Sequence, residues 1–175
     1  MYSQTKSFVG IAIGLLEEDG LVALDGEDKV LRPAILWNDG RTQSQVDYLN
    51  GVVGKDVLSD STANIAFAGF TAPKLLWMKE NEPDNFKKTD KIMLPKDYLN
   101  YKLTGVHSTD YSDASGFLLL DVKNKHWSKE MLDVCGVCEE QLPKLYESFD
   151  SVGVILPESA EKFGFAKDVK VTAGA

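Results

Sequence analysis

An α/β domain, with a mixed sheet and flanking helices, is the fold class that this sequence predicts. Three observations predict it. Short apolar runs separated by turn residues fill the first forty positions, helix-length segments follow, and isolated apolar runs recur between those helices. Neither an internal repeat nor a long linker interrupts the order. Residues 1–175 therefore read as a single domain, long enough for a real core.

The elements follow in chain order. Val9–Ile13, Leu21–Leu24 and Val30–Leu36 read as strands, divided by Glu18-Asp19-Gly20 and by Asp25-Gly26-Glu27-Asp28. The last two form an antiparallel hairpin with Asp25-Gly26 near its turn, and Pro33 marks an edge or a strand end because it has no N–H to give. Thr42 to Leu49 is helical, with a sparse apolar stripe of Val46 and Leu49. Thr71 to Lys79 is a helix with Pro73 near its first turn. Lys96 to Leu103 is another, stopped by Gly105. Lys91–Pro95 and Phe117–Asp121 are short buried strands, the second followed by a turn at Asn124-Lys125. Ser128 caps a helix that ends near Gly136, and Val169–Ala173 alternates like a strand.

Composition excludes more than it selects. The formal charge of −8 is spread along the chain, which argues against a nucleic-acid partner, since that needs a basic patch or stripe. No stretch approaches the roughly 18–20 apolar residues that span a bilayer. The apolar start at Phe8–Leu16 runs into Glu17, Glu18 and Asp19 where a signal peptidase would need small residues, so it reads as a buried strand. A cytoplasmic location without membrane contact is expected. Cys135-Gly136-Val137-Cys138 offers a redox or metal reading, but the pair closes a helix instead of opening one, and His107 and His126 lie outside zinc spacing. The expectation is two small buried apolar residues at a helix end, and no metal site.

Three constellations carry chemistry. Trp37-Asn38-Asp39-Gly40-Arg41-Thr42 stands at a strand end entering a helix, where ligands of open α/β domains commonly bind. Trp37 suits the apolar face of a sugar and Asp39 suits its hydroxyls. The alternative is that Asp39 and Arg41 pair locally and cap the helix while Trp37 fills the core. In the second, Asn64 to Asn81, the small residues around Gly69 let backbone approach a ligand, and the helix behind offers free N–H groups. The third runs from Met93-Leu94-Pro95-Lys96-Asp97-Tyr98 through Gly105 to Thr109-Asp110-Tyr111-Ser112-Asp113-Ala114-Ser115-Gly116. Its carboxylates either bind polar substrate or form caps and Asx-turns.

These segments resemble the FGGY family of carbohydrate kinases. Gly69-x-Thr71-x-x-Lys74-x-x-Trp77 with Glu80-Asn81 is similar to the family's first signature, and the other two constellations are similar to family stretches in the same order. The resemblance covers about Gly20 to Ala175. It implies a ribonuclease H-like/actin-like ATPase domain, the sugar-binding N-terminal half of a kinase that moves the γ-phosphoryl of MgATP to a sugar hydroxyl. The wording Asn64–Trp77 is most similar to members acting on xylulose, so a pentulose, D-xylulose ahead of ribulose, gluconate or glycerol, is the expected substrate. Residues placed at the sugar are Trp37, Asp39, Arg41, Gly69, Phe70 and Asp113.

The ends depart from the family. Either Val9–Leu15 is a remnant of the phosphate-binding hairpin, with Ala12 where its aspartate stands, or Glu18-Asp19-Gly20 replaces the sugar-binding Met-His-Gly turn. The family's catalytic aspartate follows a strand ending Gly-Ala-Gly-Asp; here Val169–Ala173 leads to Gly174-Ala175, so the base is expected beyond Ala175 and no catalytic residue is assigned. The implied partners are the sugar, the absent C-terminal nucleotide domain and, as an option, a second copy in a homo-oligomer. ATP and Mg2+ serve the full-length family, and this stretch alone is expected to bind neither and to be inactive. The competing readings are a non-catalytic sugar-binding or regulatory module and a chain that works only when complemented by the missing domain.

Overall fold

The computed structural model of the protein describes residues 20–174. The expected strand Val9–Ile13 and both alignments of the segment before Gly20 lie outside the described residues.

A three-stranded antiparallel sheet forms the centre. Strand β1 (Gly20–Leu24) pairs on one side with β2 (Ile35–Leu36) and on the other with β3 (Lys91–Met93). All five residues of β1 are buried. Leu21 and Ala23 enter the main cluster with Ile35, Leu75, Met78, Ile92, Phe117 and Trp127, while Val22 and Leu24 meet Met93 and Tyr98 on the opposite face. A strand covered on both faces needs a continuous apolar run, as Gly20–Leu24 provides.

The expected β1–β2 hairpin is present, but its ladder is interrupted. Leu24 bridges Val30 and Leu21 pairs with Ile35, with a slip in register between them. Pro33 sits in that irregular stretch, where its missing N–H costs no ladder bond. Asp25 closes the turn by accepting from the backbone amides of Glu27 and Lys29.

The helix expected at Thr42–Leu49 extends much further. A 3-10 turn at Gly40–Thr42 leads to Gln43–Tyr48, then a wider π-helical turn at Leu49–Gly54 and a helix at Lys55–Thr62. Gly51 lies within the π turn, and Gly54 at its end takes φ +100°, a break in the backbone before the helix resumes at Lys55. Helix Thr71–Asn81 packs its Thr71–Leu76 surface and Met78 into the core. Helix Pro95–Thr104 starts at Leu94, whose N–H is accepted by Asp97 at 3.1 Å, and ends at Gly105, φ +75°.

Beyond it, β4 (Ser108–Asp110) runs parallel to β7 (Lys144–Tyr146), and β5 (Leu120–Asp121) pairs with β6 (His126–Trp127). The expected strand Phe117–Asp121 is corrected. Only its last two residues are extended, because Ser115–Phe117 forms a 3-10 turn and Leu118 adopts φ +58°. The apolar run reflects burial on all sides, not strand geometry. Ser128 caps helix Lys129–Cys135 as expected, accepting from Met131 N–H. Cys135 is buried and its thiol pKa is pushed up to about 12 by that burial, whereas Cys138 is exposed, so only one of the pair behaves as a buried apolar residue. Strand β8 (Ser151–Val154) pairs antiparallel with β9 (Lys170–Thr172), with helix Pro157–Phe163 between them. No described helix is long and apolar enough to cross a membrane.

Candidate functional site

Two polar clusters form at strand ends. The first begins where β2 delivers Trp37 and Asp39. One Asp39 oxygen accepts the Arg41 backbone N–H at 2.9 Å and caps the 3-10 turn; the other accepts Arg41 Nε at 2.9 Å and lies 2.8 Å from Nη2. Hydrogen bonds from the Arg41 side chain and backbone hold the Asp39 carboxyl below its ordinary value, so it stays ionised at neutral pH. The Arg41 guanidinium lies 4.9 Å from the centre of the Trp77 ring. The local pairing of Asp39 with Arg41 is thus real. Trp37, by contrast, does not fill the core: it is 54% exposed.

Gly69 packs against this strand end. A Cβ on Gly69 would lie 3.3 Å from the Trp37 carbonyl oxygen, so a larger residue would force the two segments apart. Phe70 meets Phe67 edge to face, with centroids 5.7 Å apart. Behind the loop, Lys74 donates to the carbonyls of Ala68, Gly69 and Phe70 at 2.9, 2.7 and 3.0 Å. Asn50, in the π turn, accepts from Ala66 N–H at 3.0 Å and donates to its carbonyl at 2.9 Å. Five of the six sequence-predicted residues, Trp37, Asp39, Arg41, Gly69 and Phe70, therefore share one assembly around Lys74 and Trp77.

Asp113 belongs to the second cluster, at the ends of β4 and β9. Lys96 Nζ lies 2.6 Å from Asp110, 3.0 Å from Asp97 and 3.3 Å from Asp113. It also donates to the Ala173 carbonyl at 2.8 Å. Asn100, one helical turn on, donates to the carbonyls of Thr172 and Ala173, and Ser148 donates to Asp110 at 2.6 Å. A Cβ on Gly174 would come within 2.7 Å of Ser148 Cβ and 3.0 Å of Asp110 Cγ, so the chain leaving β9 is pressed onto this network. Burial pushes the Asp97 carboxyl up to about 6 against the pull of Lys96.

Sequence reasoning missed Lys96, Asp97, Asn100, Asp110 and Ser148 as one unit. A signal existed in the Lys96-Asp97 pair directly after Pro95 and in Asp110 and Asp113, three residues apart at a strand-to-helix junction. The two readings left open, substrate binding or local caps, did not include a tertiary network. Among the described residues no group of three or more His, Cys, Asp or Glu is arranged to hold a metal ion; the carboxylates of this cluster converge on an ammonium instead.

By fold the chain stands with sugar kinases of the actin-like ATPase type. The crystal structure of a xyloylose kinase from Brucella ovis superposes with a TM-score of 0.83 and 36% identity, over 99% of this chain and 37% of that one. The chain belongs to the FGGY family of carbohydrate kinases, matching its N-terminal domain over residues 3–175. The xylulose kinase of Bacillus subtilis is 48% identical over 171 residues, 98% of this chain and 34% of the relative. That of Lactococcus lactis is 47% identical over 154 residues, 88% and 30% respectively. The chain thus spans about a third of the length of these curated relatives.

Proposed function

We propose that this chain is the sugar-holding part of an ATP-dependent kinase that converts D-xylulose to D-xylulose 5-phosphate. The observation that carries the reading is the exposed Trp37 ring delivered by β2 beside an ionised, Arg41-braced Asp39. The relatives named xylulose kinase support the choice of sugar.

In this reading Trp37 covers a C–H face of the sugar. Asp39 accepts hydroxyl protons as a charged acceptor, stronger than a neutral one. Gly69, packed against the Trp37 backbone, and Phe70 beside it complete the surface. Asp113, tied to Lys96, contributes at the margin. The kinase's MgATP supplies the phosphoryl group, but the described residues do not fit a magnesium site, since Asp97, Asp110 and Asp113 all converge on the Lys96 ammonium. These residues bind and orient the acceptor. They are expected to transfer no phosphoryl group by themselves.

A coupled ADP-release assay with D-xylulose tests this. The 175 residues alone should release no ADP, and release should appear when the C-terminal remainder of the Bacillus subtilis relative is supplied. Turnover by the 175 residues alone, on the order of 1–100 per second as for typical kinases, would contradict the assignment.

A further inference from the structure

We infer that Lys74 is the positioning residue of the sugar surface: its buried ammonium gathers three consecutive carbonyls and so fixes the Ala68–Phe70 loop against Trp37. The inference rests on the sugar reading above and deepens it.

Lys74 lies in the first turns of helix Thr71–Asn81 and is 1% exposed. Burying an ammonium is costly unless each of its three protons finds an acceptor. Here the carbonyls of Ala68, Gly69 and Phe70 take all three. An amine so enclosed cannot reach a substrate, so it acts through the loop that it shapes.

The consequences for the loop follow from peptide geometry. In a trans peptide the N–H points opposite to the C=O. Turning three carbonyls inward therefore directs the Gly69 and Thr71 amides away from the ammonium. The remaining amide, that of Phe70, is closed onto the Phe67 carbonyl at 3.0 Å. Upstream, Asn50 holds both backbone groups of Ala66. The segment from Ala66 to Thr71 is thus tied at both ends and in its middle, and Gly69 is held against the Trp37 carbonyl. Burial pushes the Lys74 ammonium down to about 8, and Asp39, on the neighbouring strand end, offsets part of that by attracting it, so it stays charged at neutral pH. Methionine at this position would match the packing but leave three buried carbonyls without a donor. Arginine would retain donors.

The test compares the wild type with Lys74→Met and Lys74→Arg by NMR and by calorimetric titration with D-xylulose. In the wild type one lysine ammonium should give slowly exchanging proton signals with contacts to residues 68–70. This observation needs no variant to fold. In Lys74→Met the amides of residues 67–71 should exchange at least about tenfold faster, and the Trp37 indole signal should move. D-xylulose should bind about tenfold more weakly as pre-organisation is lost. Lys74→Arg should recover most of each effect. A rapidly exchanging ammonium in the wild type would overturn the inference, as would a methionine variant with unchanged loop exchange and an unmoved Trp37 signal. A loosened loop with unaltered sugar affinity would overturn it too. If the wild type binds no pentulose, the sugar reading falls, while the indole and exchange signals still decide whether Lys74 sets the loop.

Discussion

Lys96 Nζ sits 2.6 Å from one carboxylate oxygen of Asp110, and the Ser148 hydroxyl sits 2.6 Å from the other. This pair joins helix Pro95–Thr104 to β4 and, through the Ala173 carbonyl, to the end of β9. Asp97 and Asp110 are both nearly inaccessible to solvent. Removing the cation leaves buried carboxylates uncompensated, so Lys96→Met should destabilise the fold by about 3–5 kcal/mol. Urea denaturation measures this. A loss below about 1 kcal/mol, the range of exposed ion pairs, would show that the network is only decoration.

The same cluster sets a dependence on pH. Burial raises the Asp97 carboxyl to about 6, above the ordinary value near 3.9. Between those two values the folded chain keeps a proton that the unfolded chain releases, so this group's stabilising contribution declines as pH rises through the window. Asp110 has the opposite sign. Burial pushes its carboxyl up, but hydrogen bonds from Lys96 and Ser148 outweigh that and hold it below the ordinary value, so its contribution is lost as acid protonates it. Asp97→Asn should erase the Asp97 decline, on the order of 3 kcal/mol between about pH 4 and 6, and leave the loss on the acid side. Urea midpoints across that range check it; parallel wild-type and variant curves would refute the burial argument.

Gly69→Ala should weaken sugar binding more than it weakens the fold. The added Cβ meets the Trp37 carbonyl oxygen at 3.3 Å, so the backbone there must give by a few tenths of an ångström. A stability cost of about 1 kcal/mol is expected from such overpacking. Thermal unfolding and calorimetry on the same variant separate the two effects. Unaltered affinity would remove Gly69 from the site.

How much of this was legible in the sequence depends on how local each cause is. Gly105 and Ser128 mark helix ends because a left-handed cap and a hydroxyl acceptor are properties of single residues, and both stand where expected. Trp37, Asp39 and Arg41 were legible as a strand-end group because they are neighbours in sequence. Leu118 was not, since a buried leucine carries no signal for a left-handed backbone. The helix at Lys55–Thr62 was hidden because Gly51 and Gly54 interrupt the pattern before it, and the backbone does break at Gly54. Lys96 stood in one constellation with Asp97 and Asp110, but its bonds to Asp110 and to the Ala173 carbonyl, and that of Ser148 to Asp110, arise only through the fold.

Arg41→Lys should spare stability and harm binding. The guanidinium lies at the surface end of the Asp39 pair, so its loss should alter stability by no more than about 1 kcal/mol. Lysine cannot supply both Nε and Nη2 to Asp39 or stack a planar group on Trp77. D-xylulose affinity should therefore fall while the unfolding midpoint holds. A matched loss of both would make Arg41 a structural brace only.

Calorimetric titration of the 175-residue chain with D-xylulose tests the central claim most directly. Saturable heat at millimolar or lower sugar, abolished by Asp39→Ala and Trp37→Ala in chains that still unfold cooperatively, is the predicted result. No saturable heat, or equal affinity in wild type and both variants, would contradict it.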